Sequence, residues 1–333
     1  MRIEDLPKVE LHLHLDCSLS YRVACRLDPQ LTADDYRENF IAPPKCLDLA
    51  DFLQRAPQGI RLMQNKRALE LVVDDLFEQL QADRVIYAEI RFGPLLHTDG
   101  ELTPHEVVET IDRAVEKAMA ATGIEARLIL ATLRSYSEEQ SLTTVQLVED
   151  FRGSRVVAFD IAGNEAGFPV DAHVAAFRYA REHGIPCTAH AGEACGPASV
   201  WETLQHFQPL RLGHGVRSIE DPGLVKELIR RKVHLEICPT CNIQTDVFPT
   251  YAEHPIQRLY TAGVSLGINT DTRTITNITL NEEYQKLAET FGWTERQFIH
   301  CNRNAIDAGF ISEDLKTRLR QQLPELNSPG SPA

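Results

Sequence analysis

The sequence has no run of about 18 apolar residues, so no membrane-spanning helix is expected. Its first residues, Met1-Arg2-Ile3-Glu4-Asp5-Leu6-Pro7, lack a basic stretch followed by an apolar one, so no secretory leader is expected. Positive charge is in deficit: 34 Lys and Arg stand against 48 Asp and Glu, giving −14. An acidic surface repels phosphate backbones and anionic lipids, so nucleic acid and membranes are poor partners and a small neutral or cationic ligand fits better. The eight cysteines, at 17, 25, 46, 187, 195, 238, 241 and 301, show no disulfide framework. Dispersed through a chain with no export signal, they read as free thiols of a cytoplasmic protein. No linker interrupts the chain, and only the Pro-, Ser- and Gly-rich tail 324–333 is expected to be disordered.

What is present is a regular alternation. The 333 residues are 43% hydrophobic, enough for a large core. Eight β-rich runs occur, at 9–14, 85–92, 126–133, 156–162, 186–190, 210–213, 233–238 and 264–270. Helical patterns fill much of the space between, for example at 104–121, 172–183, 224–231 and 280–289. Strands alternating with helices form parallel βαβ units, and eight of them point to a closed (β/α)8 TIM barrel. The α/β fold is expected to be one domain over 1–323, with extra helices between strands 1 and 2, within 43–82.

The run Glu10-Leu11-His12-Leu13-His14-Leu15-Asp16 alternates polar and apolar. Residues two apart on a strand share a face. His12 and His14 therefore face the lumen together while Leu11, Leu13 and Leu15 face the helices. Two satisfied core histidines are the bland alternative, but a pair at the end of an apolar strand reads better as half a zinc site. Three later strands end in polar groups: His190-Ala191-Gly192-Glu193, Gly213-His214-Gly215 and Asn269-Thr270-Asp271. Barrel active sites sit at that end. Three imidazoles and a carboxylate without paired thiolates suit a catalytic zinc. The fourth run has no lysine to bridge a second metal, so one Zn2+ per chain is expected.

The motifs Pro7–Asp16, Ile161-Ala162-Gly163, His190-Ala191-Gly192-Glu193, Arg211-Leu212-Gly213-His214-Gly215, Glu236-Ile237-Cys238-Pro239-Thr240 and Asn269-Thr270-Asp271 resemble, in order, those of the adenosine deaminase family of the amidohydrolase superfamily. The resemblance implies zinc held by His12, His14, His190 and Asp271. It implies Glu193 as proton donor to purine N1, and His214 orienting or deprotonating the attacking water. His14 would border the substrate, Asp16 would meet the ribose 5′-hydroxyl, and the Gly163 N–H would reach N3. Segment 47–53, with Leu47, Leu49, Phe52 and Leu53, would form a lid or ordinary core.

Two positions depart from the family pattern. Asp271-Thr272-Arg273 stands where Asp-Asp-Pro is common, leaving Thr272 to donate to N7, and Leu15-Asp16-Cys17 replaces Leu-Asp-Gly. Adenosine and 2′-deoxyadenosine are the expected substrates. A modified adenosine such as aminodeoxyfutalosine is the alternative, and free adenine ranks below it because the ribose contact is kept. A hydrolase of lactones or phosphoesters could share the fold, but the His-Ala-Gly-Glu motif favours deamination. A catalytically dead purine-binding protein should have lost a ligand or the acid, and none is lost. The stretch 234–241, with its Cys-x-x-Cys, reads as strand seven carrying inert thiols. Glu89 and Arg91 read as part of a buried ion-pair network.

Overall fold

The alternating runs resolve into eight parallel strands in a computed structural model that describes residues 2–325. Most of the tail expected to be disordered, from 326 on, lies outside the described residues. The strands are β1 (Lys8–His14), β2 (Val85–Phe92), β3 (Glu125–Leu133), β4 (Val156–Ala162), β5 (Thr188–Ala191), β6 (Arg211–His214), β7 (His234–Ile237) and β8 (Leu266–Ile268). They pair in two four-stranded parallel sheets, β1-β2-β3-β4 and β5-β6-β7-β8. Single bridges join the sheets at both seams, Phe159 to Cys187 and Leu13 to Asp271. At the second seam the Asn269 side chain replaces a strand, its Oδ1 accepting from the N–H groups of Leu11 (2.8 Å) and His12 (3.0 Å). The ring is thereby a TIM barrel.

The alternation in β1 sets which way its residues point. Leu11 and Leu13 on the strand, and Leu15 in the 3-10 turn that follows it, are fully buried. Each contributes about 1.5–3 kcal/mol by leaving water, and a one-residue slip would lose all three. That register turns His12 and His14 inward. The helices follow the sequence pattern; Pro104–Thr122, for instance, starts on a Thr103/Glu106 capping box and stops at left-handed Gly123.

Some boundaries differ from the sequence expectation. The extra helices between β1 and β2 begin at Tyr21 rather than near 43, with five running to Ala82. The run expected over 264–270 is a strand only over Leu266–Ile268, because Asn269 takes over the pairing. Stretch 234–241 is not one strand: β7 ends at Ile237 and a short helix, Pro239–Gln244, begins on a proline at its first turn.

The lumen below the expected site is ionic. Arg91 pairs with Asp160 (2.8 Å) and Glu236 (2.6 Å), and Glu89 pairs with Arg211 (2.6 Å), all fully buried. Glu89 and Arg91 thus belong to a buried network. Burial pushes the Glu236 carboxyl up, but Arg91 and Arg211 outweigh it and hold it at about 2. No helix among the described residues is long and apolar enough to cross a membrane.

Candidate active site and metal centre

His12, His14, His190 and Asp271 converge at the C-terminal end of the ring, each offering a ligand atom within 4.8 Å of the others. His12 Nε2 lies 3.1 Å from Asp271 Oδ1, and His14 Nε2 lies 3.3 Å from it. His14 Nε2 also faces His190 Nε2 at 3.2 Å. Burial pushes His12 and His14 well below the ordinary imidazole value and pushes the Asp271 carboxyl up. Burial favours the neutral His12 imidazole, so its contact with Asp271 is not an ion pair. His12 Nε2 is buried without a hydrogen-bond partner. Lone pairs brought together in this way fit a cation at their centre.

Two of the other ring nitrogens are tied back. His12 Nδ1 lies 3.0 Å from Glu236 Oε2, and His190 Nδ1 lies 3.3 Å from Asp160 Oδ1. Carboxylates behind imidazoles fix the tautomer that turns Nε2 to the centre. Gly213 leaves the room: a Cβ there would stand 2.9 Å from His12 Cε1 and 3.1 Å from His190 Cγ. Cys238 also reaches the group formed by His12, His214 and Asp271. Burial and then Asp271 raise its thiol well above the usual range, so imidazole is the better ligand.

Glu193 sits beside the cluster, 3% exposed. Burial first, then Asp271 and Glu165, raise its carboxyl well above the ordinary value, which favours the protonated form. His214 Nε2 lies 3.5 Å from Glu193 Oε1, and the Cys241 thiol donates to the same oxygen at 3.7 Å. Glu165 holds the loop bearing Glu193. Its Oε1 accepts from Gly192 N–H (2.7 Å) and Ser199 Oγ (2.6 Å), and its Oε2 from the N–H groups of Glu193 (3.0 Å) and Cys195 (2.9 Å). Gly192 turns that loop with φ +68, where an added Cβ would meet Val200 Cγ2 at 2.5 Å.

A cleft of about 1020 Å³, counted to its open mouth, rises from these groups. His14, Asp16, Cys17, Gly163, His190, Glu193, His214, Asp271 and Thr272 line it, with Leu49, Phe52 and Leu53 at its apolar wall. Leu47 stays out of that wall, 87% exposed. Asp16 is already engaged: Oδ1 faces His97 Nε2 at 2.6 Å and Oδ2 accepts from Gly93 N–H at 2.9 Å. Each carboxylate oxygen can accept again. Thr272 Oγ1 is buried and unpartnered. Arg273 points away, pairing with Glu10 and Asp83, both at 2.7 Å. The sequence reading missed Asp160, Glu165 and the service of Glu236 behind His12. Asp160 had a signal, a lone carboxylate inside the apolar strand Val-Val-Ala-Phe-Asp-Ile-Ala.

The family model for adenosine deaminase matches residues 7–326. The chain belongs to the adenosine deaminase family. This membership makes it a hydrolytic deaminase with a purine ring as substrate class. The adenosine deaminase of Lacticaseibacillus paracasei is 36% identical, with 96% of each chain covered. Among solved structures, the adenine deaminase of Arthrobacter aurescens superposes with a TM-score of 0.88 at 23% identity, covering 95% of this chain and 98% of that one. An amidohydrolase from Burkholderia ambifaria, solved with bound Zn, gives a TM-score of 0.88 at 23% identity, covering 96% and 90%. At that identity these two structures bear on the fold alone. The candidate metal centre of this deaminase rests on its own geometry.

Proposed function

We propose that this deaminase hydrolyses the 6-amino group of adenosine and 2′-deoxyadenosine, using one zinc ion per chain. The observation that carries the reading is Glu193: a carboxyl buried next to three imidazoles and a carboxylate that share a centre, its pKa raised by that burial. Attack at C6 breaks ring aromaticity, and a proton placed on N1 makes that possible. Glu193 holds such a proton.

His12, His14, His190 and Asp271 would hold the zinc, which when bound lowers the pKa of a coordinated water to about 7. His214, whose Nε2 lies 3.5 Å from Glu193 Oε1, would orient the attacking water. Thr272 offers its free hydroxyl to N7, the Gly163 N–H serves N3, and Asp16 accepts from the ribose 5′-hydroxyl. Among the described residues lining the cleft none is Lys or Arg. A 5′-phosphate would find no counter-charge there, which favours a nucleoside over a nucleotide.

The test is ammonia release by the pure, zinc-loaded protein from adenosine, 2′-deoxyadenosine, adenine and AMP, with zinc counted per chain. Adenosine and its deoxy form should turn over fastest. No release from either, beside rapid turnover of another aminopurine nucleoside such as aminodeoxyfutalosine, would overturn the substrate.

A further inference from the structure

We infer that His254 and Asn242 are positioning residues that hold His214 with its ring proton on Nε2, so that His214 presents a hydrogen-bond donor, not a base, to the reaction centre. The inference rests on the deaminase reading for its consequence, but its geometry stands apart. His214, Asn242 and His254 are 1%, 0% and 2% exposed, so water does not choose their orientation.

The chain of bonds has a fixed end. Ile256 N–H is a backbone group and can only donate; it lies 3.2 Å from His254 Nδ1. Nδ1 must therefore carry a lone pair. Burial keeps His254 neutral, with a pKa of about 3, so its one ring proton sits on Nε2. That nitrogen faces Asn242 Oδ1 at 3.2 Å, and the amide oxygen accepts. The amide is then oriented, and its Nδ2 must donate to His214 Nδ1, 3.1 Å away. With Nδ1 occupied as acceptor, the proton of neutral His214 is on Nε2, the atom 3.5 Å from Glu193 Oε1. Reversing the Asn242 amide would set its N–H groups against the His254 Nε2–H.

The backbone supports the relay. Asn242 N–H donates to Cys238 O at 3.1 Å, and its carbonyl accepts from Val247 N–H at 3.1 Å. The His254 ring packs edge-on against Phe248, centroids 5.5 Å apart. His214 itself sits at φ +61, a left-handed backbone that a histidine adopts only when its surroundings hold it. An Nε2–H facing the centre can grip an oxygen placed there. It cannot take that oxygen's proton.

The deciding measurement is ¹⁵N NMR of histidine-labelled, zinc-loaded full-length protein, with His214 assigned by its loss in a His214→Asn variant. The wild-type protein should show neutral His214 with the proton on Nε2. Asn242→Asp keeps an acceptor for His254 but can only accept from His214, so the proton should move to Nδ1. With the wrong tautomer, kcat should fall about 10²–10⁴-fold, while KM stays within about threefold, since ground-state contacts are untouched. An Nδ1–H signal in the wild-type protein overturns the inference even if the variant fails to fold. So does an Asn242→Asp protein with unchanged kcat. A correct tautomer in a protein that deaminates no purine would instead strike the proposed function.

Discussion

The strands of the first half of the ring run 7, 8, 9 and 7 residues, and those of the second half 4, 4, 4 and 3. His190, Glu193, His214 and Asp271 come from the short half. There the chain leaves the pleat early: Gly192, His214, Gly215 and Asp271 all have φ between +61 and +68. A left-handed residue other than glycine costs about 1–2 kcal/mol, so His214 and Asp271 are strained at the point of use. The long half contributes His12 and His14 on a seven-residue strand and, behind the site, Arg91 and Asp160. Longer ladders hold the first half of the ring; shortened ones free backbone to aim side chains. Variants in the short half should therefore lose activity with little loss of stability, and variants behind the long half should lose both stability and metal.

The largest effect tests the short half. Glu193→Gln keeps the shape and leaves the backbone bonds to Glu165 in place, but removes the acid. We expect kcat to fall about 10²–10⁴-fold with Tm within about 2 °C. A matching fall in Tm would break the division between the halves. On the long side, Asp160→Ala leaves Arg91 with Glu236 as its one carboxylate partner, beside the Leu11 carbonyl, and frees His190 Nδ1. We expect a loss of about 3–5 kcal/mol in denaturant unfolding and zinc affinity weakened about 10–100-fold. Unchanged stability would show that Asp160 does not hold the network.

Acid separates two buried groups of the short half, His254 and Glu236, by window rather than by sign. Burial lowers His254 to about 3. The unfolded imidazole takes its proton near 6.5, so stability is full above that value and is lost as pH falls towards 3. Glu236 is also depressed, to about 2, by Arg91 and Arg211 against the push of burial. Its contribution is full above about 4.3 and is lost only as pH falls towards 2. The His254 contact should therefore weaken before the Glu236 network, by about 3 kcal/mol between pH 7 and 4. Urea melts across that range check it, and His254→Phe should flatten the slope. An unchanged slope in that variant would assign the loss elsewhere.

The same contrast explains what the sequence made legible. His12 and His14 were readable because β1 is long enough for period two to fix a face. In β8 only Leu266–Ile268 pairs as strand, and the Asn269 side chain does the work of a ladder, which no periodicity announces. Stretch 234–241 misled for the same reason, since β7 stops at Ile237 and the chain turns into a helix that brings Cys241 to Glu193. Glu165 lies in a loop, and its four hydrogen bonds are made to groups 27 to 34 residues away. Asn242 and His254 are linked to His214 only through the fold. Arg273 looked like a departure at the site, yet it turns back to Glu10 and Asp83, partners that only the folded ring puts in reach.

Thr272 gives the smallest effect and the finest test of the short half. Its hydroxyl is 5% exposed by residue, lines the cleft and has no partner. An unpartnered buried hydroxyl costs folding energy unless a ligand takes it up. Thr272→Val removes the hydroxyl at nearly the same volume. If the hydroxyl donates to N7, the variant should bind adenosine about 3–10-fold more weakly, equivalent to about 1 kcal/mol. The free protein should be as stable as before or slightly more so, because the orphaned group is gone. The 7-deaza analogue of adenosine, which lacks the acceptor, should bind both proteins alike. A preference of the wild-type protein for adenosine over that analogue that persists undiminished in Thr272→Val would place the N7 contact on another residue.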